Sequence, residues 1–232
     1  MNASSEALLL SGQTLNRADL VALLADRPGA LQLEHCSLDG EDLSRLDLRG
    51  ARFTSCSLAE TSFERCDLAM TRWLACKARQ ADFHLSDLSE ARFTACDLNN
   101  TSWRRAQLAG VQFDEVKLTG ASFGDARTLG LGFHASLLVA ADLRGVSFRK
   151  QRLHQLDLSD ADLAGCDFRD SVFEGGSLRD ANLKNARFTG ADLRSVDLGG
   201  LSLTQLAQFC KGSTISADQA AALVSALGIR VL

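Results

Sequence analysis

Every fifth residue from Leu33 to Leu203 is large and apolar, and that register leaves few ways to fold. Of its 35 positions, 33 are Leu, Phe or Trp, and only Ala78 and Thr128 depart. A second set, two residues before each anchor, is mostly small: Cys36, Ala51, Cys56, Thr61, Cys66 and Thr71 begin it, with Glu41 and Gln151 as clear polar exceptions. A period of five is neither the 3.6 of a helix nor the 2 of a flat strand. The chain must turn a corner after each unit and point its large residue inward again, which is the mark of an internal repeat.

The units Ala51-Arg52-Phe53, Ala81-Asp82-Phe83, Ala161-Asp162-Leu163 and Ala191-Asp192-Leu193 resemble the A(D/N)LXX motif of pentapeptide-repeat proteins. That resemblance implies an all-β solenoid, a right-handed quadrilateral parallel β-helix with one pentapeptide per side and four per coil. Sides assigned on a 20-residue coil place Phe53, Trp73, Phe93, Phe113 and Phe133 in one ladder. Phe63, Phe83, Trp103 and Phe123 form another on the opposite side, and Phe148, Phe168 and Phe188 a third. Their expected role is to fill the core, where aromatic rings favour stacked arrangements.

Three segments follow from where the register runs. Residues 1–30 form an N-terminal cap, with a short helix over Asn16–Asp26 and a stop at Pro28-Gly29. Solenoids close their open ends with atypical units of this kind. Residues 31–205 form the repeat body, whose weakest text is Arg127–Ala140 and Arg149–Gln155, the two places to expect a bulge. Residues 206–232 leave the register: Ser216 caps a helix over Ala217–Leu227, Gly228 closes it, and an apolar tail Ile229–Leu232 follows.

Composition excludes more than it nominates. The net charge of −4 selects no partner, and no apolar run is long enough for a signal core or a membrane span. A cytoplasmic protein with no membrane contact is the expectation. Six of the seven cysteines (Cys36, Cys56, Cys66, Cys76, Cys96, Cys166) fall in the small inward slot and read as small buried hydrophobes in a reducing compartment. Gly130-Leu131-Gly132 lacks the rest of a phosphate loop, and no Ser or Cys sits in a nucleophile context. The chain reads as non-enzymatic and without a cofactor.

Two constellations remain. Asp114, His134, His154 and Glu174 each follow an anchor by one and are separated by 20, a column that would suit a divalent ion if its ligands converged. No metal site is expected from it, since a flat column does not make tetrahedral geometry. Charge gives the second. Asp42, Asp82, Asp142 and Asp162 fall on one side, Asp47, Asp67, Asp87 and Asp167 on the next, and Arg52, Arg72, Arg92 and Arg152 on the one after. Acidic stripes of this kind can imitate a nucleic-acid duplex and enter a positively charged groove. The body is nonetheless only weakly anionic, with 25 acidic and 21 basic residues over 31–205.

The C-terminal run from Ile215 to Val231 is similar to the ending of the Qnr, MfpA and albicidin-resistance branch of the pentapeptide-repeat family, and Cys66–Phe83 has a Qnr-like texture. That resemblance implies a homodimer through the C-terminal helix, with Ala221, Val224, Leu227 and Ile229 at its interface. It also implies a DNA-mimicking rod that binds DNA gyrase or topoisomerase IV and protects it from quinolones or other topoisomerase poisons, a role in antibiotic resistance. The partner is then a protein, not nucleic acid itself. The other class is a structural scaffold or adaptor, one of whose settings is a bacterial secretion system; the leader RADLVALLADRPGALQL resembles those of such repeat proteins.

Overall fold

The computed structural model describes residues 8–26 and 31–231. They form the expected right-handed quadrilateral parallel β-helix, with helices confined to its ends. Two compact units divide the chain, Met1–Gly132 and Phe133–Leu232.

The first unit holds β1 (Leu8–Ser11), α1 (Arg17–Asp26), β2 (Leu31–Glu34), β3 (Arg52–Thr54), β4 (Arg72–Leu74), β5 (Arg92–Thr94) and β6 (Gln112–Asp114). Each strand pairs in parallel with the next, residue i against i+20 from β2 onward. The other three sides repeat the offset as single bridges, Ser37 with Ser57, Asp42 with Ser62 and Asp47 with Asp67. Four sides to a coil are therefore set by pairing as well as by pattern. In the second unit β7 (Gly132–His134), β8 (Arg152–His154) and β9 (Val172–Glu174) continue the same register, followed by α2 (Leu203–Phe209) and α3 (Ala217–Ser225).

The five-residue period has a local cause at the corners. The last residue of most pentapeptides has positive φ, and many of these residues are not glycine: Met70 at 59°, Leu85 at 59° and Ala95 at 53°. This left-handed geometry costs an L-residue about 1–2 kcal/mol. It is sustained because the corner N–H donates across to the next coil, as Met70 does to the Ser89 carbonyl at 2.8 Å. A paired amide and a buried anchor on every side offset the strain.

The anchors meet in the middle of the coil. Phe53, Trp73, Phe93 and Phe113 stack at 4.1, 5.2 and 5.1 Å between centroids. Phe63, Phe83, Trp103 and Phe123 stack opposite them, and the two ladders touch edge to face, Phe93 against Trp103 at 5.4 Å and 85°. In the second unit Phe148, Phe168 and Phe188 stack at 4.8 and 4.7 Å. Each tryptophan follows a threonine by two, and that spacing has a purpose. The indole N–H of Trp73 donates to Thr71 Oγ1 at 2.9 Å, and that of Trp103 to Thr101 Oγ1 at 2.8 Å. A buried indole needs such a partner.

Several details differ from the sequence reading. β1 adds a strand ahead of the repeat, paired with β2 although it shares no five-residue phase with it. Pro28 and Gly29 lie outside the described residues. The polar exception Glu41 is a cap: its Oε2 accepts the backbone N–H of Arg17 at 2.9 Å, at the first turn of α1, where a carboxylate meets the positive end of the helix dipole. Neither weak stretch bulges; Thr128 and Leu129 stay in a regular turn with Leu129 exposed, and Gln151 opens the side that carries β8. Leu203 is not an inward anchor. It opens α2 and is 46% exposed, because Ser202 and Gln205 form a capping box that starts a helix there.

Candidate functional site

The aspartates placed in acidic stripes share one local structure. Each side-chain Oδ1 accepts the backbone N–H two residues on: Asp42 from Ser44 at 2.9 Å, Asp47 from Arg49 at 3.1 Å, Asp67 from Ala69 at 3.1 Å, Asp82 from His84 at 3.0 Å and Asp87 from Ser89 at 2.9 Å. Asp142, Asp162 and Asp167 do the same with Arg144, Ala164 and Arg169. These are Asx turns. The carboxylate holds the corner, so its recurrence is first a consequence of the coil and only then a feature of the surface.

Stacking and pairing sort the eight. In the first unit Asp47, Asp67 and Asp87 lie in consecutive coils, whereas Ser62 separates Asp42 from Asp82. Arg49 forms an ion pair with Asp67 and holds its carboxyl below the usual range. Among the described residues Asp42, Asp47, Asp82 and Asp87 make no ion pair, so four of the eight stripe carboxylates have no direct cationic contact.

In the second unit the stripe aspartates Asp142, Asp162 and Asp167 are paired internally. Arg144 bridges Asp142 at 2.7 Å and reaches Asp162 at 3.6 Å. Asp167 is buried and takes Arg169 at 2.7 Å and Arg187 at 2.9 Å; its hydrogen bond from Arg169, with the Arg187 charge behind it, lowers its pKa to about 2. A side chain so enclosed is a structural ion pair. Asp192 and Asp197, which the stripe assignment left out, are held in the same way by Arg194 and Arg179.

The histidine column stacks as its spacing implies, His134 against His154 and His154 against Glu174 within the second unit. Its rings lie parallel, 4.7 Å apart at 9°, and His154 Nδ1 is 3.7 Å from Glu174 Oε2. Parallel rings do not aim their nitrogens at one point. Among the described residues no three His, Cys, Asp or Glu side chains are grouped to hold a metal.

The cysteines are buried and free. Cys66 donates its thiol to the Leu43 carbonyl at 2.9 Å and Cys166 to that of Leu143 at 3.1 Å. Burial pushes the Cys66 thiol up to about 11 and that of Cys166 to about 12. Neither has the thiolate character that reactive cysteines need.

At the C-terminus, Ser216 and Gln219 form a second capping box, and the Gln219 amide donates at 2.8 Å to both the Leu193 and Val196 carbonyls. Yet α3 buries no residue. Ala221 and Val224 are half-buried, Leu227 is 59% and Ile229 55% exposed, and Val231 follows them into solvent. Beside the helix runs a cavity of about 280 Å³ lined by Leu198, Leu201, Ala222, Leu223 and Ala226 among others. Among the described residues no helix is long and apolar enough to cross a membrane.

Coils of 20 residues, an inward anchor in every side and Asx-held corners define a class, and the chain belongs to it: it is a member of the pentapeptide-repeat family. The pentapeptide repeat region family matches residues 30–103 and 47–123, and the pentapeptide repeats (8 copies) family matches 137–170 and 173–205. Among solved structures the chain is similar to full-length QnrB1, a plasmid-mediated fluoroquinolone resistance protein, at 22% identity and a TM-score of 0.66, over 96% of this chain and 98% of that one. A trypsin-treated variant of QnrB1 is similar at 25% identity and a TM-score of 0.60, over 97% and 98%. No curated protein matches the chain.

Proposed function

We propose that this chain is a non-enzymatic, Qnr-like protein that binds a DNA topoisomerase, gyrase or topoisomerase IV, in the cytoplasm and lessens the effect of quinolones on it. The observation that carries this reading is the extent of the likeness to QnrB1, which spans 96% of this chain and 98% of the other. Asp42, Asp47, Asp82 and Asp87 supply the DNA-mimicking charge, because among the described residues their carboxylates form no ion pair. Asp67, Asp142, Asp162 and Asp167 contribute less, since arginines already offset them. A homodimer forms through residues 206–232, with Ala221, Val224, Leu227 and Ile229 covering one another across the two-fold axis.

The neutralised aspartates favour a second reading, a scaffold that presents a patterned surface to another protein without imitating DNA. A gyrase supercoiling assay separates the two. Titrated protein should inhibit supercoiling at micromolar concentration, or restore it in the presence of a quinolone, and Asp47→Asn with Asp87→Asn should weaken either effect. A folded protein with no effect in both arms would move the chain to the scaffold class.

A further inference from the structure

The strand face of the first unit carries a column of like charge that its own coil leaves unused. Arg52, Arg72 and Arg92 occupy the same place on β3, β4 and β5 and are partnered in register. All three are exposed, while the anchors beside them are buried. Rungs of a sheet lie about 4.8 Å apart, so three guanidinium side chains leave the surface along a row about 10 Å long. Like charges directly opposite one another destabilise a sheet. Among the described residues no carboxylate pairs with any of the three, although Arg49 and Arg79 of the same unit pair with Asp67 and Asp97.

The coil does not need the charge. Arg72 rests one Nη on the carbonyls of Met70, Thr71 and Glu90. Gln112, in the same column, makes the comparable reach to the carbonyls of Gly110 and Gly130. Gln32 stands at the other end of the row. Within the first unit a neutral amide therefore stands at both ends of the row, and arginine is kept at the three rungs between them.

The surroundings limit what can dock. Along the neighbouring column run Thr54, Leu74 and Thr94, and it is closed by Glu34 at one end and Asp114 at the other. Leu74 is 48% exposed, and Met70, at the corner on the other flank of Arg72, 47%. The face is thus cationic over three rungs, apolar beside the middle one and acidic beyond both ends.

We propose that this face docks an acidic helix of a partner protein, with carboxylates at i, i+4 and i+7 and an apolar side chain alongside for Leu74. Seven residues of helix rise about 10.5 Å, close to the length of the arginine row. Charge complementarity sets the sign, and the neutral Gln32 and Gln112 at the two ends of the row set its length. A nucleic-acid strand, whose charge repeats without end, runs past the neutral ends of the row at Gln32 and Gln112 and is opposed by the net charge of −4. This surface is independent of the topoisomerase reading, and its test uses no topoisomerase.

The probe is a fluorescent stapled helix of about 18 residues with Glu at i, i+4 and i+7 and Leu beside them, followed by anisotropy against the full-length chain. Wild type should bind it, more weakly as salt rises. The triple variant Arg52→Gln, Arg72→Gln and Arg92→Gln should lose at least about tenfold in affinity, in line with removing several charge pairs from an interface. Its melting temperature should equal or exceed that of wild type. A control with Arg65→Gln, Arg104→Gln and Arg105→Gln, on another side, should bind as wild type does. Leu74→Glu provides a second variant, expected to weaken binding without touching an arginine. Equal binding of a peptide with Gln in place of Glu would overturn the proposal, as would equal loss in the control variant. A single-stranded oligonucleotide of matched charge binding as tightly as the peptide would overturn it too.

Discussion

The coil around Phe93 and the helix α3 bury apolar surface in opposite ways. Phe93 is enclosed by its own chain, stacked on Trp73 and Phe113 and edge-on to Phe83 and Trp103. α3 is anchored by polar bonds from Gln219, and its apolar side chains stay half-buried or exposed. Repetition explains the difference. Each coil offers its neighbours an identical inner edge, so the body completes its own core, whereas a terminal helix has one neighbour and leaves a face over. The body encloses its apolar anchors, and α3 leaves its own half-buried or exposed.

The strongest way to break this comparison is Phe93→Ala, expected to cost about 3–5 kcal/mol in denaturant unfolding, as large-to-small core changes do. A loss below about 1 kcal/mol would mean that the stacked ladder does not carry the core. Gly176→Ala comes next, at about 2–3 kcal/mol. Gly176 has φ +84° and sits in the small inward slot, where a Cβ would collide with the Leu156 backbone; full stability in the variant would show that the coil can shift.

Asp167→Asn sharpens the comparison within the second unit, since it keeps the Asx turn and removes the charge shared by Arg169 and Arg187. The expected cost is about 1–2 kcal/mol at neutral pH. The pH dependence has a definite sign: the folded pKa lies below the unfolded one, so the stabilisation is present above about pH 4 and is lost as pH falls toward 2. Wild type should show that acid-side loss in melting temperature, and the variant should show less of it. The smallest effect on the fold belongs to Leu227→Asp. It should leave the unfolding of the repeat body within about 0.5 kcal/mol of wild type and shift sedimentation to monomer. An unchanged sedimentation profile would remove α3 from the interface.

Much of the fold was legible because a solenoid writes its geometry at short range. The register of anchors from Leu33 to Leu198, the aromatic ladders and the inward cysteines all follow from counting by five and by twenty. Two omissions had readable signals. Thr71 and Thr101 precede both tryptophans by two, and Ser202-Leu203-Thr204-Gln205 has the same capping-box spacing as Ser216–Gln219. Periodicity hid the second, because Leu203 keeps the phase after the coil has ended. β1 had no comparable signal, since its pairing with β2 obeys strand register and not the pentapeptide count.

The candidate surfaces were legible only in outline. Sequence spacing assigned the aspartates to columns, but it could not tell Asp47, with no ion pair, from Asp67 beside Arg49, or an exposed carboxylate from the buried Asp167. Nor could it separate Arg152, which pairs with Glu174, from Arg52, Arg72 and Arg92, which make no ion pair among the described residues. Side-chain pairing depends on which rotamers meet: Arg49, Arg79 and Arg179 reach a carboxylate 18 residues on, whereas Arg144, Arg169 and Arg194 turn back to the aspartate two residues before them. By itself, then, the sequence determined the coil, its four sides and what each side carries, because these follow from local turns and a repeated buried residue. Tertiary structure alone decided how those charges pair, because Arg49 passes over Asp47 to reach Asp67 in the next coil, while Arg144, Arg169 and Arg194 take the aspartate two residues before them.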